Sequence, residues 1–403
     1  MQYQDAFKVL NPYSKRVIVG IVLNCIGRGM TLSLTLVYFH SFRGFSNSFG
    51  GLVLGGVTLV SLFASGPIGT AIDRFGPRVV AIQSLLFCTI SSIGLSLVST
   101  KVEAILALLG FAIGTRGIWP SQTVILTRVT SEAERDRIYG LQFMMVNLGI
   151  GLGSVIAALV IQANSLISFQ LLYWGDGITY LIYIAIILSL GKLDSGTYQT
   201  RHISKEQGSY REVFAIKKVA LLTFAAVVLL TFNSGSVQAA LPLFATQYLK
   251  LSPKWLGIFF GFNCAAIVII QPFITNVLDR FNKYRALALV GIIWAGSWLV
   301  VGSAIWLPTF FAGCALCISQ VIYAVGEAIN APVNSSILQE LSPEHVRGRM
   351  SSLVALQWGV ADVIGPILAG LMIGHALSLQ WAYLMCTGSL VSVPIYLFAK
   401  RSR

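Results

Sequence analysis

Gly50-Gly-Leu-Val-Leu-Gly-Gly-Val-Thr-Leu-Val-Ser-Leu-Phe-Ala-Ser-Gly-Pro-Ile-Gly-Thr-Ala-Ile72 runs for 23 residues without a charge and then meets Asp73-Arg74-Phe75-Gly76-Pro77-Arg78. A helix of that length rises about 35 Å, slightly more than the roughly 30 Å hydrocarbon core of a bilayer. A buried strand ends after about four to eight residues. Length alone therefore selects a membrane-spanning helix, with the charged turn at the point where the chain returns to water.

The rest of the chain repeats this pattern. Apolar stretches of similar length run 17–39, 79–98, 104–126, 138–161 and 169–190, then 219–244, 255–278, 286–306, 310–338, 350–373 and 381–399. With 50–72 they predict twelve spans in an all-α integral membrane fold. The 403 residues are 56% hydrophobic and only 11% charged, against about 25% charged in a soluble chain. That balance excludes a soluble enzyme or a nucleic-acid-binding protein. An outer-membrane barrel needs segments of about ten residues with alternating polarity, which are absent.

Twelve spans put both termini on one side, and the 28 basic residues decide which. The termini and the loops on their side carry 22 of them, six between Lys192 and Lys218. The opposite side carries four: Arg43, Lys101, Lys250 and Lys254. Arg28 and Arg116 fall within spans. The positive-inside rule places both termini in the cytoplasm, and the net charge of +13 is mainly this topology signal, with some contact to anionic lipid headgroups. The first 16 residues lack an apolar signal-peptide core, and the first span lacks a small-residue cleavage site, so it is expected to stay as helix. All six cysteines lie in spans, Cys314-x-x-Cys317 included, which predicts packing instead of redox chemistry. Trp255, Trp306 and Trp381 sit at span ends and read as interfacial anchors.

The hydrophilic stretch 192–218 divides the chain into a six-helix half, 1–191, and a second, 219–403, joined by a cytoplasmic loop. An offset of 212 aligns Pro120 with Pro332, Arg135 with Arg347 and Gly153 with Gly365; an offset of 206 aligns Asp73-Arg74-Phe75 with Asp279-Arg280-Phe281. Six spans per half make this a parallel repeat about an axis normal to the bilayer.

Here the chain resembles a known family. Gly69-Thr-Ala-Ile-Asp73-Arg74-Phe-Gly76-Pro-Arg78 is similar to the loop 2–3 signature G-x-x-x-D-R-x-G-x-[RK] of the major facilitator superfamily. The resemblance implies the twelve-helix fold of that family and a cytoplasmic gate at Gly69, Asp73, Arg74, Gly76 and Arg78, with Asp279 and Arg280 as the second copy. That copy departs from the pattern at Thr275 and Asn282. Gly149-x-x-x-Gly153-Ser154 in span 5 and Ala361-x-x-x-Gly365-Pro366-x-x-Ala369-Gly370 in span 11 are similar to a motif of proton-driven exporters. Close helix packing is the plainer reading of these small residues. Gly326-Glu327-x4-Pro332 looks like a motif of some proton-coupled multidrug antiporters, whereas the exporters' helix-4 arginine is replaced here by Leu108.

Five charged residues fall within spans: Arg28, Arg116, Asp176, Glu327 and Asp362. Each costs about 2.5–3.5 kcal/mol at mid-bilayer, so they are expected to face the interior, paired or wet. Arg28 and Arg116 lie about 17–18 Å along their spans, near the midplane, and Glu327 matches Arg116 in depth through the repeat. Burial favours the neutral acid and an adjacent arginine favours the anion, which makes Glu327, with Asp362, the expected proton-coupling group. The alternative is a static ion pair. Asp176, about 10 Å along span 6, is expected to have a structural role, with hydration near the outer face as the alternative. Asn24, Trp119, Asn233 and Tyr323 join Arg28, Arg116 and Glu327 as the expected substrate cavity, with Gln122, Gln238 and Asn330 at similar depth.

These features predict a secondary transporter working by alternating access in the plasma or inner membrane: a proton-coupled exporter of amphipathic small molecules, functioning as a monomer without a cofactor. A transporter of an anionic metabolite or lipid head group, held by Arg28 and Arg116, is the rival within the class. A membrane enzyme fits poorly: the four histidines lie at span ends or in loops without metal-ligand spacing, and no nucleotide-binding loop appears.

Overall fold

In the computed structural model, residues 12–32, 34–128, 135–162, 164–191, 210–278, 281–341, 347–375 and 377–401 are described. Almost all of them are helical, with no strand among them. The spans are α1a (Pro12–Thr31) and α1b (Thr35–Arg43), α2 (Asn47–Phe75), α3 (Pro77–Leu97), α4 (Lys101–Arg128), α5 (Arg135–Val160) and α6 (Leu166–Ser189). The second half repeats the order with α7a (Lys217–Thr231) and α7b (Ser234–Leu243), α8 (Lys254–Leu278), α9 (Lys283–Ser303), α10 (Thr309–Glu340), α11 (Arg347–Gly374) and α12 (Ser378–Arg401).

Equivalent helices pair in both halves: α1a with α5 and α6, and α3 with α4 and α6, match α7 with α11 and α12, and α9 with α10 and α12. Small residues permit these contacts. Gly110, Gly114 and Gly117 lay one stripe of α4 against Ser91, Cys88 and Ser84 of α3. Without a hydrophobic force between helices in lipid, such close backbone approach is what holds them together. Gly149 and Gly153 do the same for α5, where any side chain would run into the backbone of α1a at Val22 and Ile26. Gly365 meets Gly235 of α7b in the corresponding way. The small-residue runs of spans 5 and 11 are thus packing surfaces.

Two compact units emerge. One takes in the chain to Phe45, Gly56–Tyr198 and Ser252–Ala265; the other takes in Ser46–Gly55, Gln199–Leu251 and Ala266–Arg403. The start of α2 therefore packs with second-half helices, and the start of α8 with first-half helices. Gly257 and Gly261 of α8 approach Ser154 and Val155 of α5. Gly51 of α2 faces Pro366 and Gly370 of α11, and Asn47 and Gln247 exchange two amide hydrogen bonds, at 2.6 and 3.0 Å.

Both opening spans are broken, where the sequence reads as continuous. α1a stops at Thr31, whose hydroxyl turns back 3.4 Å from the Arg28 carbonyl. α7a stops before Asn233, whose amide donates to the Leu229 carbonyl at 2.7 Å. Such local side-chain bonds compete with the helical ladder. After Pro242 the chain widens into a π-turn over Phe244–Tyr248, with Leu249 N–H reaching the Phe244 carbonyl.

One expectation changes. Trp381 is fully buried against Phe244 and Trp298 and is no interfacial anchor, whereas Trp306 is 69% exposed. Asp176 is fully buried between helices. The six cysteines are free thiols.

Candidate substrate and coupling site

In the second half the broken α7 creates the opening for a site. Tyr323, Glu327 and Asn330 are spaced i, i+4, i+7 and share one face of α10. Tyr323 stacks on Trp294 of α9 at 4.9 Å and 9°, and its carbonyl accepts from the Trp294 indole at 2.9 Å. Gly326 makes room for that indole. Glu327, one turn along from Tyr323, is half-buried.

The Tyr323 hydroxyl bonds to Ser234, the first residue of α7b, and feels the charges of both Glu327 and Asp362. Asp362 is half-buried on α11 beside Ala361, whose carbonyl abuts Gly235. Two acids thus lie within electrostatic reach of one tyrosine at the start of a half-helix, where unpaired N–H groups gather. Proline sharpens the polarity. Pro332 cannot donate to Ala328, and Gln271 of α8 reaches that carbonyl at 3.5 Å instead. Pro366 leaves the carbonyl of Asp362 without its helical donor in the same way.

Asn233 lies at the break, fully buried. Its amide oxygen accepts from the Trp298 indole at 2.8 Å, and its nitrogen donates to Ser389 at 2.9 Å and to Leu229. Its hydrogen bonds are used by the fold.

In the first half, Asn24 is buried with its amide oxygen unbonded, Arg28 is exposed, and Trp119 is 49% exposed. Arg116 is half-buried, and its Nε donates to Ser61 of α2 at 3.2 Å. Gln122 is buried and takes a 3.5 Å contact from the Tyr183 hydroxyl, Asn330 is buried, and Gln238 is exposed. Arg116 belongs to one unit and Glu327 to the other.

The charged loop after α2 has a clear local logic. Gly76 adopts φ +87°, a left-handed conformation that glycine enters without penalty, and Pro77 then starts α3. Arg78 donates to the carbonyls of Leu188, at 2.7 Å, and Gly191, so a cation caps the C-terminal end of α6. Arg74 is exposed over the Phe75 ring, and Gly69 faces open space. The Asp73 side chain, Asp279 and Arg280 lie outside the described residues. In the second copy Asn282 has φ −67° and caps α9 by accepting from Arg285 N–H at 3.3 Å. An asparagine cap replaces a left-handed glycine, which explains the departure of that copy from the pattern.

A sequence model described as Major Facilitator Superfamily matches residues 17–297 and 223–403. The chain belongs to the major facilitator superfamily. Its fold is accordingly that of a twelve-helix transporter, and its relatives are transporters, not enzymes. The uncharacterized MFS-type transporter YttB of Bacillus subtilis (strain 168) is 22% identical, covering 90% of this chain and 88% of that relative. Multidrug resistance protein 1 of the same organism is 19% identical, covering 88% of each. The crystal structure of the nucleoside transporter NupG superposes with a TM-score of 0.77 at 12% identity, covering 98% of this chain and all of that one.

Sequence reasoning in this superfamily member missed the Asn47–Gln247 pair, and also Ser92, Trp298 and Ser389. Their partners stand far apart in sequence, and no local spacing marks them.

Proposed function

We propose that this transporter exports amphipathic, cationic small molecules in exchange for protons, in the cell membrane, as a monomer with both termini in the cytoplasm. The observation that carries the reading is that Glu327 and Asp362 lie within electrostatic reach of Tyr323, whose hydroxyl bonds to Ser234 at the broken α7. A cationic substrate and a proton can compete for the same carboxylates, and tyrosine offers such a substrate an aromatic face. Similarity over most of the chain to a protein named for multidrug resistance supports it. Alternating access would rock the halves about the site, with the Asp73–Arg78 loop latching one state. One proton moving down about 100 mV releases about 2.3 kcal/mol, enough for a gradient of roughly 50-fold.

The test is proton flux in reconstituted vesicles, with cationic dyes and anionic metabolites as substrates. Dye-driven proton movement is expected in the wild type and at least tenfold less in Glu327→Gln. Intact coupling in a folded, inserted Glu327→Gln protein overturns the role of Glu327.

Arg28 favours a second reading. It is exposed on α1a, a suitable partner for an anionic metabolite or lipid head group, with Arg116 of α4 as the second candidate cation. Anion transport that survives Glu327→Gln and is lost in Arg28→Ala would establish that version.

A further inference from the structure

Asp176 takes no part in the reading above, yet its surroundings are unusual. It lies on α6, fully buried, at the point where α1a ends and α3 crosses. Its Oδ2 faces Ser92 of α3 at 2.8 Å and Thr31, the last residue of α1a, at 3.4 Å. Oδ1 has no hydrogen-bond partner and lies against Gly27, where an added Cβ would come within 2.7 Å of it. No ion pair to Asp176 forms among the described residues.

The hydrogens can be counted. Ser92 Oγ stands 2.8 Å from Asp176 Oδ2 and 2.9 Å from the Tyr173 carbonyl. A serine has one hydrogen, and a backbone carbonyl only accepts. Both contacts are bonded at once only when the hydrogen between Ser92 and Asp176 comes from the carboxyl. Thr31 has one hydrogen for two acceptors, Oδ2 and the Arg28 carbonyl, both at 3.4 Å, and the single carboxyl hydrogen, used on Ser92, leaves it to serve one of them at a time.

The second half shows the same node without a titratable group. At the break of α7, Asn233 ties α7 to Trp298 on α9 and Ser389 on α12, the counterparts of α3 and α6. The offset of 206 that relates Asp73 to Asp279 also relates Ser92 to Trp298. The Asn233 amide donates and accepts at once. A carboxylate cannot do both; a carboxylic acid can.

We propose that Asp176 is a proton-binding site of the first half, which holds its proton between Oδ2 and Ser92 while α1a, α3 and α6 are packed together, and gives it up when that packing opens to water. In the release step the carboxyl O–H bond breaks, its electron pair stays on Oδ2, and the proton passes to water. The charged and titratable groups around it are few. α1a brings Arg28 and Cys25, α3 brings Cys88, and α6 itself brings Tyr173 and Tyr180. Tyr38 of α1b packs on Tyr173, and α5 carries no titratable side chain between Met144 and Val160. Arg28 is therefore the charge among the described residues that would meet the anion.

The site is independent of the coupling role given to Glu327. Infrared difference spectroscopy on the reconstituted chain, stepped in pH, reads protonated buried carboxyls directly. A C=O band is expected in the wild type that vanishes in Asp176→Asn and persists in Glu327→Gln. Identical bands in the wild type and Asp176→Asn overturn the proposal, whatever Glu327 does. Should Asp176→Asn fail to fold, Ser92→Ala keeps the acid but removes its acceptor. That variant is expected to shift the band to higher frequency, and an unmoved band overturns the proposal equally.

Discussion

Replacing Gly76 by alanine tests the backbone of the charged loop by itself, because its left-handed φ is the only demand the site makes. A Cβ there meets no neighbour, so the penalty is conformational, about 1–2 kcal/mol. A lower thermal unfolding temperature in detergent is expected, with the helices intact. Asn282→Ala costs about 1 kcal/mol for a different reason, a lost cap, and Asn282→Asp should restore most of it. At this scale the glycine position was legible because the spacing of the loop marks it. The difference between the copies was not, since it depends on a φ angle that no residue spacing reveals. Glu327 could be picked out as a charge in an apolar run. Its setting could not, because Trp294, Ser234 and Asp362 come to Tyr323 from three other helices.

Among the elements, helix contacts depend on which glycines are crowded. Gly153→Leu forces a side chain into the α1a backbone at Ile26 and is expected to abolish the folded protein, seen as loss of the monodisperse peak in size-exclusion chromatography. Gly69→Leu, facing open space, leaves that peak unchanged. Twelve spans were legible because each is an apolar run long enough to cross a bilayer, a property of the run alone. The interruptions in α1 and α7 escaped for the opposite reason. The local bonds of Thr31 and Asn233 at those breaks share their side chains with partners from other helices, Asp176 in one half and Trp298 and Ser389 in the other, which the chain supplies only after many residues.

For the whole molecule, the rocking of halves proposed above predicts that the junction of α2 with α7b and α11 opens and closes. Asn47 is 8% exposed there, so a thiol introduced by Asn47→Cys should be alkylated only when the junction opens, measured over the background of the parent chain. Adding Gly370→Ala overpacks the contact with Gly51, a push of about 1–2 kcal/mol. The alkylation rate should then rise about tenfold. An unchanged rate would mean that the junction stays shut. The repeat of the two halves was visible in offsets of prolines and arginines. The exchange of the α2 and α8 starts between units was not, because it is set by glycine contacts between halves.

The meeting of Gly51 with Gly370 has one more consequence. Two glycine backbones touch there, so that contact by itself freezes no rotamers, and the side-chain entropy of closing is given up by the amide pair beside it, Asn47 and Gln247, about 1.5–2 kcal/mol for the glutamine. Gln247→Ala removes that cost together with the two hydrogen bonds that offset it. The fraction of time this end of the transporter stands open should then vary less between a cold membrane and a warm one.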